Sequence, residues 1–252
     1  MYKRSFAAIL LSLTLSLTMA MPGMASDLRG ALWKVEQVCM ANKATTGLSF
    51  PCLDVNPAQG YVVLRAPVGQ DDMILAPTEK ISGIEAASLL NAGIVNYFEP
   101  AWNARALLAD KTRRKLTQAD FALAINSYLT RSQDQLHIHI DCIATDVQRQ
   151  LRAIAPDLPA NTWVHLPKPI RNLSFWARRI PQETLAGVNP FALVASGVPE
   201  ARLGMGQMTL VITGNVLGGN AKGYILLAAK AGRFFGKSRP TGEDLLDHEC
   251  RA

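Results

Sequence analysis

Apolar and polar positions follow two rhythms along this chain, and Gly, Pro, Asn and Asp mark where one gives way to the other. Helical spacing runs from Leu28 to Met40, with Trp33 and Val38 on the apolar side, through Ile84 to Leu90, and through Asn96 to Ala109, where Phe98, Trp102, Ala106 and Leu107 recur. Tyr61 to Arg65, between Gly60 and Pro67, and Met73 to Ala76, stopped by Pro77, read as strands, and Gly69 with the Asp71-Asp72 pair makes them a hairpin. Lys111 to Asp120 reads as a polar connection, Phe121 to Asn126 as a strand, Tyr128 to Asp134 as a turn and Leu136 to Cys142 as another strand. A helix follows over Ala144 to Ala153, with Thr145 or Asp146 as its cap. Pro156 to Pro169 has no periodicity and reads as a linker or an active-site loop. Met208 to Thr213 and Tyr224 to Ala229 form a second hairpin across a Gly/Asn-rich turn, in which Gly218-Gly219-Asn220 reads as a plain turn, since no helix start follows it to cradle a phosphate. Strands paired in hairpins with helices set apart predict an α+β fold, an antiparallel sheet with packed helices and a C-terminal hairpin-containing extension.

One strand stands out. Side chains alternate across a strand, so Gln135, His137, His139 and Asp141 share one face while Leu136, Ile138, Ile140 and Cys142 share the other. The second face is wholly apolar and belongs to the core. The first presents an amide, two imidazoles and a carboxylate, with same-face neighbours about 6.5–7 Å apart. Three readings fit this row. It is a solvated face, with Asp141 in water; or a metal site, which needs a third ligand such as His165 or His248; or a phosphate site, where a neutral imidazole attacks phosphorus and a second imidazole stabilises charge or protonates the leaving oxygen.

Charge favours the last. The chain has 252 residues and a formal net charge of +6, which suits a partner bearing phosphates. The basic residues are scattered apart from Arg113-Arg114-Lys115 and Arg178-Arg179. With no RNA-reading aromatic motif and no helix-turn-helix signal, nucleic acid is not the expected partner. A 49% hydrophobic and 18% charged composition excludes disorder and allows one large domain or two small ones.

The N-terminus carries an export signal. Lys3 and Arg4 precede an apolar run from Phe6 to Met21, then Pro22, Gly23 and Ala25. Cleavage after Ala25 leaves Ser26 first and lowers the charge from +6 to +4 by removing Lys3 and Arg4. The alternative is an uncleaved anchor over Ser5 to Ser26, close to the roughly 20 residues that span a bilayer. Residues 1–25 are thus a signal or anchor, residues 26–252 the exported domain. Export permits disulfides among Cys39, Cys52, Cys142 and Cys250, which allow three connectivities. Cys39 and Cys52 bracket a short loop and are expected to pair with each other, which leaves Cys142 with Cys250; the alternative is four buried free thiols.

The order of segments resembles the histidine-triad superfamily of nucleotide hydrolases and transferases. Met73-Ile74-Leu75-Ala76-Pro77 matches its strand ending in proline, and the segment holding Trp102 its helix. Leu123-Ala124-Ile125-Asn126 matches the strand ending near asparagine, and Gln135-Leu136-His137-Ile138-His139-Ile140 the histidine strand. Within that superfamily the chain resembles the bacterial CDP-diacylglycerol pyrophosphatases. That likeness rests on Gly60 to Leu64, Leu123 to Ser127, Arg131-Ser132-Gln133, His137 to Ile140 with Cys142, Ala177-Arg178-Arg179, Val198 to Arg202 and Asp247-His248-Glu249-Cys250. One position departs: the first triad histidine is Gln135, whose side chain hydrogen-bonds but does not titrate.

The resemblance implies hydrolysis of CDP-diacylglycerol to CMP and phosphatidate through a cytidylyl-histidine. It makes His137 the nucleophile and His139 its catalytic partner. Asn126, Gln135, Arg178 and Arg179 become substrate contacts, Asp141 an orienter of a histidine, and His248 a residue drawn toward the site by a Cys142–Cys250 bridge. No metal and no cofactor are expected. It also implies work at a membrane surface, on the periplasmic side of the inner membrane, or free in the periplasm if the signal is cut. A nucleotidyltransferase passing CMP to another acceptor, and a non-catalytic periplasmic nucleotide-binding protein, are the alternatives.

Overall fold

Both expected hairpins form, and the rest of the sheet grows between and beside them. The computed structural model describes residues 28–66, 72–109, 115–214, 222–231 and 240–250. The export segment, Arg113, Arg114 and the Gly218-Gly219-Asn220 turn lie outside those residues. β2 (Tyr61–Arg65) pairs antiparallel with β3 (Met73–Pro77), and β8 (Met208–Gly214) with β9 (Tyr224–Lys230). Between them lie β4 (Phe121–Ile125) and β5 (Ile138–Ile143). With β1 (Asp54–Asn56), β6 (Trp163–His165), β7 (Trp176–Ile180) and β10 (Leu246–Asp247) they form one ten-stranded sheet. The strand order is β1-β2-β3-β5-β4-β8-β9-β7-β6, with β10 beside the end of β5. The neighbours pair antiparallel and the helices stand apart from the sheet, so the fold is α+β. The C-terminal hairpin continues the sheet outward from β4.

The two faces of β5 meet different surroundings. Leu136, Ile138, Ile140 and Cys142 enter the largest apolar cluster, as their alternation predicts. There α2 (Phe98–Ala109) contributes Phe98, Ala101 and Trp102, and α4 (Pro190–Gly197) contributes Phe191 and Val194. The opposite face carries two separate clusters. α1 (Ala31–Thr46) sets Leu32 and Cys39 against Val62, Leu64, Ile74 and Ala76. α3 (Thr145–Ile154) sets Val147 and Leu151 against Ala122, Ala124, Val211 and Ile225. In register, Ile74 and Ala124 flank His139, so the histidine face lies in the seam between these two clusters.

Four local expectations change. α1 buries Leu32, Glu36 and Cys39, while Val38 is 51% exposed, because the helix packs one turn-face over from the stripe that its hydrophobic residues suggest. The segment around Ile84 to Leu90 holds a single 3-10 turn, Ala87–Leu90. The cap of α3 is Ala144, with no side-chain hydrogen bond; Asp146 sits in the first turn, where it favours the helix dipole. Pro156 to Pro169 is no linker: it holds β6, an edge strand, where flanking prolines cost no ladder bond. Among the described residues no helix is long and apolar enough to cross a membrane.

Candidate active site

His137 and His139 stand side by side on the seam face, ring centroids 5.0 Å apart and edge to face. They are buried, not solvated, at 7% and 6% exposure. The solvated-face expectation fails for Asp141 as well, which is fully buried because the C-terminal segment covers it.

Each histidine is oriented by a different partner. His137 Nδ1 lies 2.7 Å from the Gln135 carbonyl oxygen. A carbonyl only accepts, so Nδ1 carries the proton and Nε2 keeps its lone pair. Burial, then the neighbouring His139 imidazole, push the His137 pKa down to about 3, so the ring stays neutral. His139 Nδ1 lies 3.1 Å from Asp72 Oδ2 and 3.6 Å from Glu243 Oε1. Its Nε2 is 3.5 Å from Asn126 Nδ2. Asn126 is fixed in turn: its amide donates to Glu243 Oε2 at 2.7 Å, and the Thr241 hydroxyl donates to its Oδ1.

Beside the histidines opens a cavity of about 480 Å³. One wall is apolar: Ala31, Leu32, Val35, Leu64, Ala66 and Ile74. The other is polar: Asn126, Thr130, Ser132, Gln133, Glu243, His137 and His139, with Arg65 as the cation. The loop carrying Thr130 to Gln133 is anchored from below. Arg131 bonds Glu85 at 2.6 Å and Asp134 at 3.0 Å, Arg29 bonds Asp134 at 2.6 Å, and Leu32 N–H donates to Gln133 Oε1 at 2.9 Å.

The remaining expected site residues divide. Gln135 is adjacent but does not line the cavity. Fully buried, it accepts from Ile81 N–H at 3.2 Å and donates to Glu36 Oε2 at 3.0 Å, Pro77 O at 3.1 Å and Glu79 O at 2.9 Å. Burial pushes Glu36 up to about 9, so it is the neutral acid that receives this amide. Arg178 and Arg179 are not brought to the histidines. They lie on β7, four strand spacings from β5, about 19 Å at the usual interstrand distance. There Arg179 donates to Leu158 O at 3.1 Å.

Both expected disulfides are present, Cys39–Cys52 and Cys142–Cys250. The second brings the chain's end to β5, and His248 Nδ1 lies 2.9 Å from Asp141 Oδ2. That bond, strongest of several influences, lifts His248 to about 9, while burial raises Asp141 to about 6. His165 lies far off at the sheet edge, against Trp176. Asp72 and Glu243 escape sequence reasoning: one reads as a turn residue, and the other lies in a short 3-10 turn that no periodicity marks. A cation would find its best ligand atoms in Asp72, His139 and Glu243, or in Asp72, Asp141 and His248, each set within 4.8 Å. Their hydrogen bonds to one another already occupy the imidazole Nδ1 atoms.

Residues 27–252 match the family described as CDP-diacylglycerol pyrophosphatase, which takes in every group just placed. The chain belongs to the CDP-diacylglycerol pyrophosphatase family. It is similar to a CDP-diacylglycerol pyrophosphatase of Yersinia pestis, 39% identical over 222 residues, which cover 88% of this chain and 84% of that protein. Membership in the CDP-diacylglycerol pyrophosphatase family and the paired imidazoles point to the same chemical class, attack at phosphorus.

Proposed function

We propose that the protein hydrolyses CDP-diacylglycerol to CMP and phosphatidate through a cytidylyl-histidine on His137, in a histidine-triad-like active site. The observation that carries this reading is the hydrogen bond from His137 Nδ1 to the Gln135 carbonyl, which leaves Nε2 as an aimed, unprotonated nucleophile. Nε2 attacks the phosphorus that bears cytidine. The N–P bond forms as the anhydride P–O bond breaks, and phosphatidate leaves with the bonding pair. Water then attacks the same phosphorus: the new P–O bond forms as the N–P bond breaks, the water gives up a proton to solvent, CMP departs, and the imidazole recovers its pair and is neutral again. His139, backed by Asp72, faces the charge that builds on the transferring phosphoryl oxygens, and Asn126 supplies an amide beside it. Arg65 gives the diphosphate a cation, and the apolar wall of the cavity suits the start of the diacylglycerol chains. The succession of Pro77 at the end of β3, Trp102 in α2 and Asn126 after β4 supports the histidine-triad likeness.

Two disulfides and the apolar run after Lys3 and Arg4 support a site on the periplasmic side of the inner membrane, at its surface. Rapid quench with substrate labelled in the cytidylyl phosphate tests the mechanism. Label is expected on the protein within one turnover, stable to base and lost in acid as a phosphoramidate is, and mapping to His137. A full burst of CMP with no protein-bound label overturns the covalent route.

A pH profile is a second check. With the His137 pKa pushed down to about 3, the nucleophile stays unprotonated throughout the ordinary assay range. kcat/KM is therefore expected to show no acid limb from His137 at the ordinary imidazole pKa of about 6.5. A tenfold fall per pH unit below pH 6.5, matched by NMR titration of His137, would refute the buried-neutral assignment.

A further inference from the structure

Two buried carboxylates meet beside His139. Met73 pairs with Ile140 and Ile74 with His139; continuing that register by one residue sets Asp72 opposite Asp141, on the histidine face. Both are fully buried. Like charges directly opposite in an antiparallel pair repel, and buried carboxylates need a partner of opposite charge. The partners are two imidazoles. His139 Nδ1 is 3.1 Å from Asp72 Oδ2, and His248 Nδ1 is 2.9 Å from Asp141 Oδ2 and 4.0 Å from Asp72 Oδ2. The other acid facing this group is Glu243, 3.6 Å from His139 Nδ1.

The route by which His248 arrives is specific. β10 takes up the lane beside β5 that β3 leaves: Leu246 pairs with Ile143 and Asp247 with Cys142. The next step of that register brings His248 to Asp141, where the end of β3 meets it. The Cys142–Cys250 bridge then fixes the tail two residues further on.

We propose that His248 is a positioning residue of the reaction: held by the C-terminal disulfide, it neutralises Asp141 and so leaves the Asp72 carboxylate committed to orienting His139. The proposal rests on the reading of His137 and His139 given above. His248 does not line the substrate cavity, so its effect belongs in kcat and not in KM.

The test assays the full chain on CDP-diacylglycerol as His248→Ala, Asp141→Asn and the double variant. His248→Ala is expected to lower kcat about tenfold with KM within about twofold, a coupling of ordinary size for contacting charges. Adding Asp141→Asn is expected to restore kcat to that of Asp141→Asn alone, because no carboxylate is left to neutralise. Wild-type kcat in His248→Ala, or a double variant as slow as His248→Ala, overturns the proposal. His248→Asn keeps a donor without the charge; it is expected to be as slow as His248→Ala and stands in for it if that variant does not fold. ¹⁵N NMR of the His139 ring gives a readout without turnover: the Nδ1–H bond to Asp72 is expected in wild type, weakened in His248→Ala and restored in the double variant. An unchanged signal across the three refutes the positioning role, whereas failure of the wild-type protein to release CMP refutes the proposed reaction.

Discussion

His137→Ala is expected to lower release of CMP from CDP-diacylglycerol by about 10⁴-fold or more in kcat, with the fold intact. The size follows from what is lost. Alanine removes a group that combines a free lone pair, a fixed direction and neutrality at working pH. His139 cannot stand in, since its Nδ1 is held by Asp72 and its Nε2 faces Asn126. His139→Ala should cost less, about 10²–10³-fold, the usual share of a group that assists without bonding to phosphorus. Chromatographic measurement of CMP from both variants checks the ranking. Activity of His137→Ala within tenfold of wild type would sink the nucleophile assignment, and an inverted ranking would move it to His139.

Gln135→Leu is expected to destabilise the protein by about 3–5 kcal/mol, with four partners left unsatisfied in a buried network. The amide accepts from Ile81 N–H with its oxygen, and its two N–H groups are shared among Glu36, Pro77 O and Glu79 O. Leucine fills the space and meets none of them. Gln135→His is also expected to destabilise, because an imidazole offers one donor and one acceptor where the amide gives two donors and an acceptor. Urea unfolding measures both. A change below about 1 kcal/mol for Gln135→Leu would show that the network is dispensable. Gln135 therefore joins α1, β3 and the histidine strand, and its backbone carbonyl orients His137 while its side chain fixes where that carbonyl lies.

The alternation of β5 was legible because one face is unbroken Leu-Ile-Ile-Cys, and the two hairpins because Gly, Pro and Asp mark their ends. The pair His137 and His139 came with that strand. What stayed hidden depends on contacts between distant parts of the chain. Asp72 follows Asp71 in a stretch whose composition signals a turn, and nothing local shows that one of two adjacent acids is buried beneath a histidine. Glu243 sits between the two residues of the Thr241–Asp244 capping box, and its own role appears only when that turn packs over Asn126. Arg178 and Arg179 illustrate the converse: their charge suits a diphosphate, but strand order, which residue spacing does not encode, carries them four strands along the sheet from the histidines. β1 and β6 are three-residue edge strands, too short for any period to show.

The bridge between Cys142 and Cys250 also sets a clock. Cys250 lies 108 positions after its partner Cys142, so the segment that carries His248 leaves the ribosome after every other residue of the site. The sheet, the cavity and both strand histidines precede it. The full set of acid–imidazole pairs is thus completed only once His248 has been made and the bridge beside it can form. A chain cut before His248, or still reduced at Cys142 and Cys250, would hold a nearly finished site, lacking only the part that comes last in sequence.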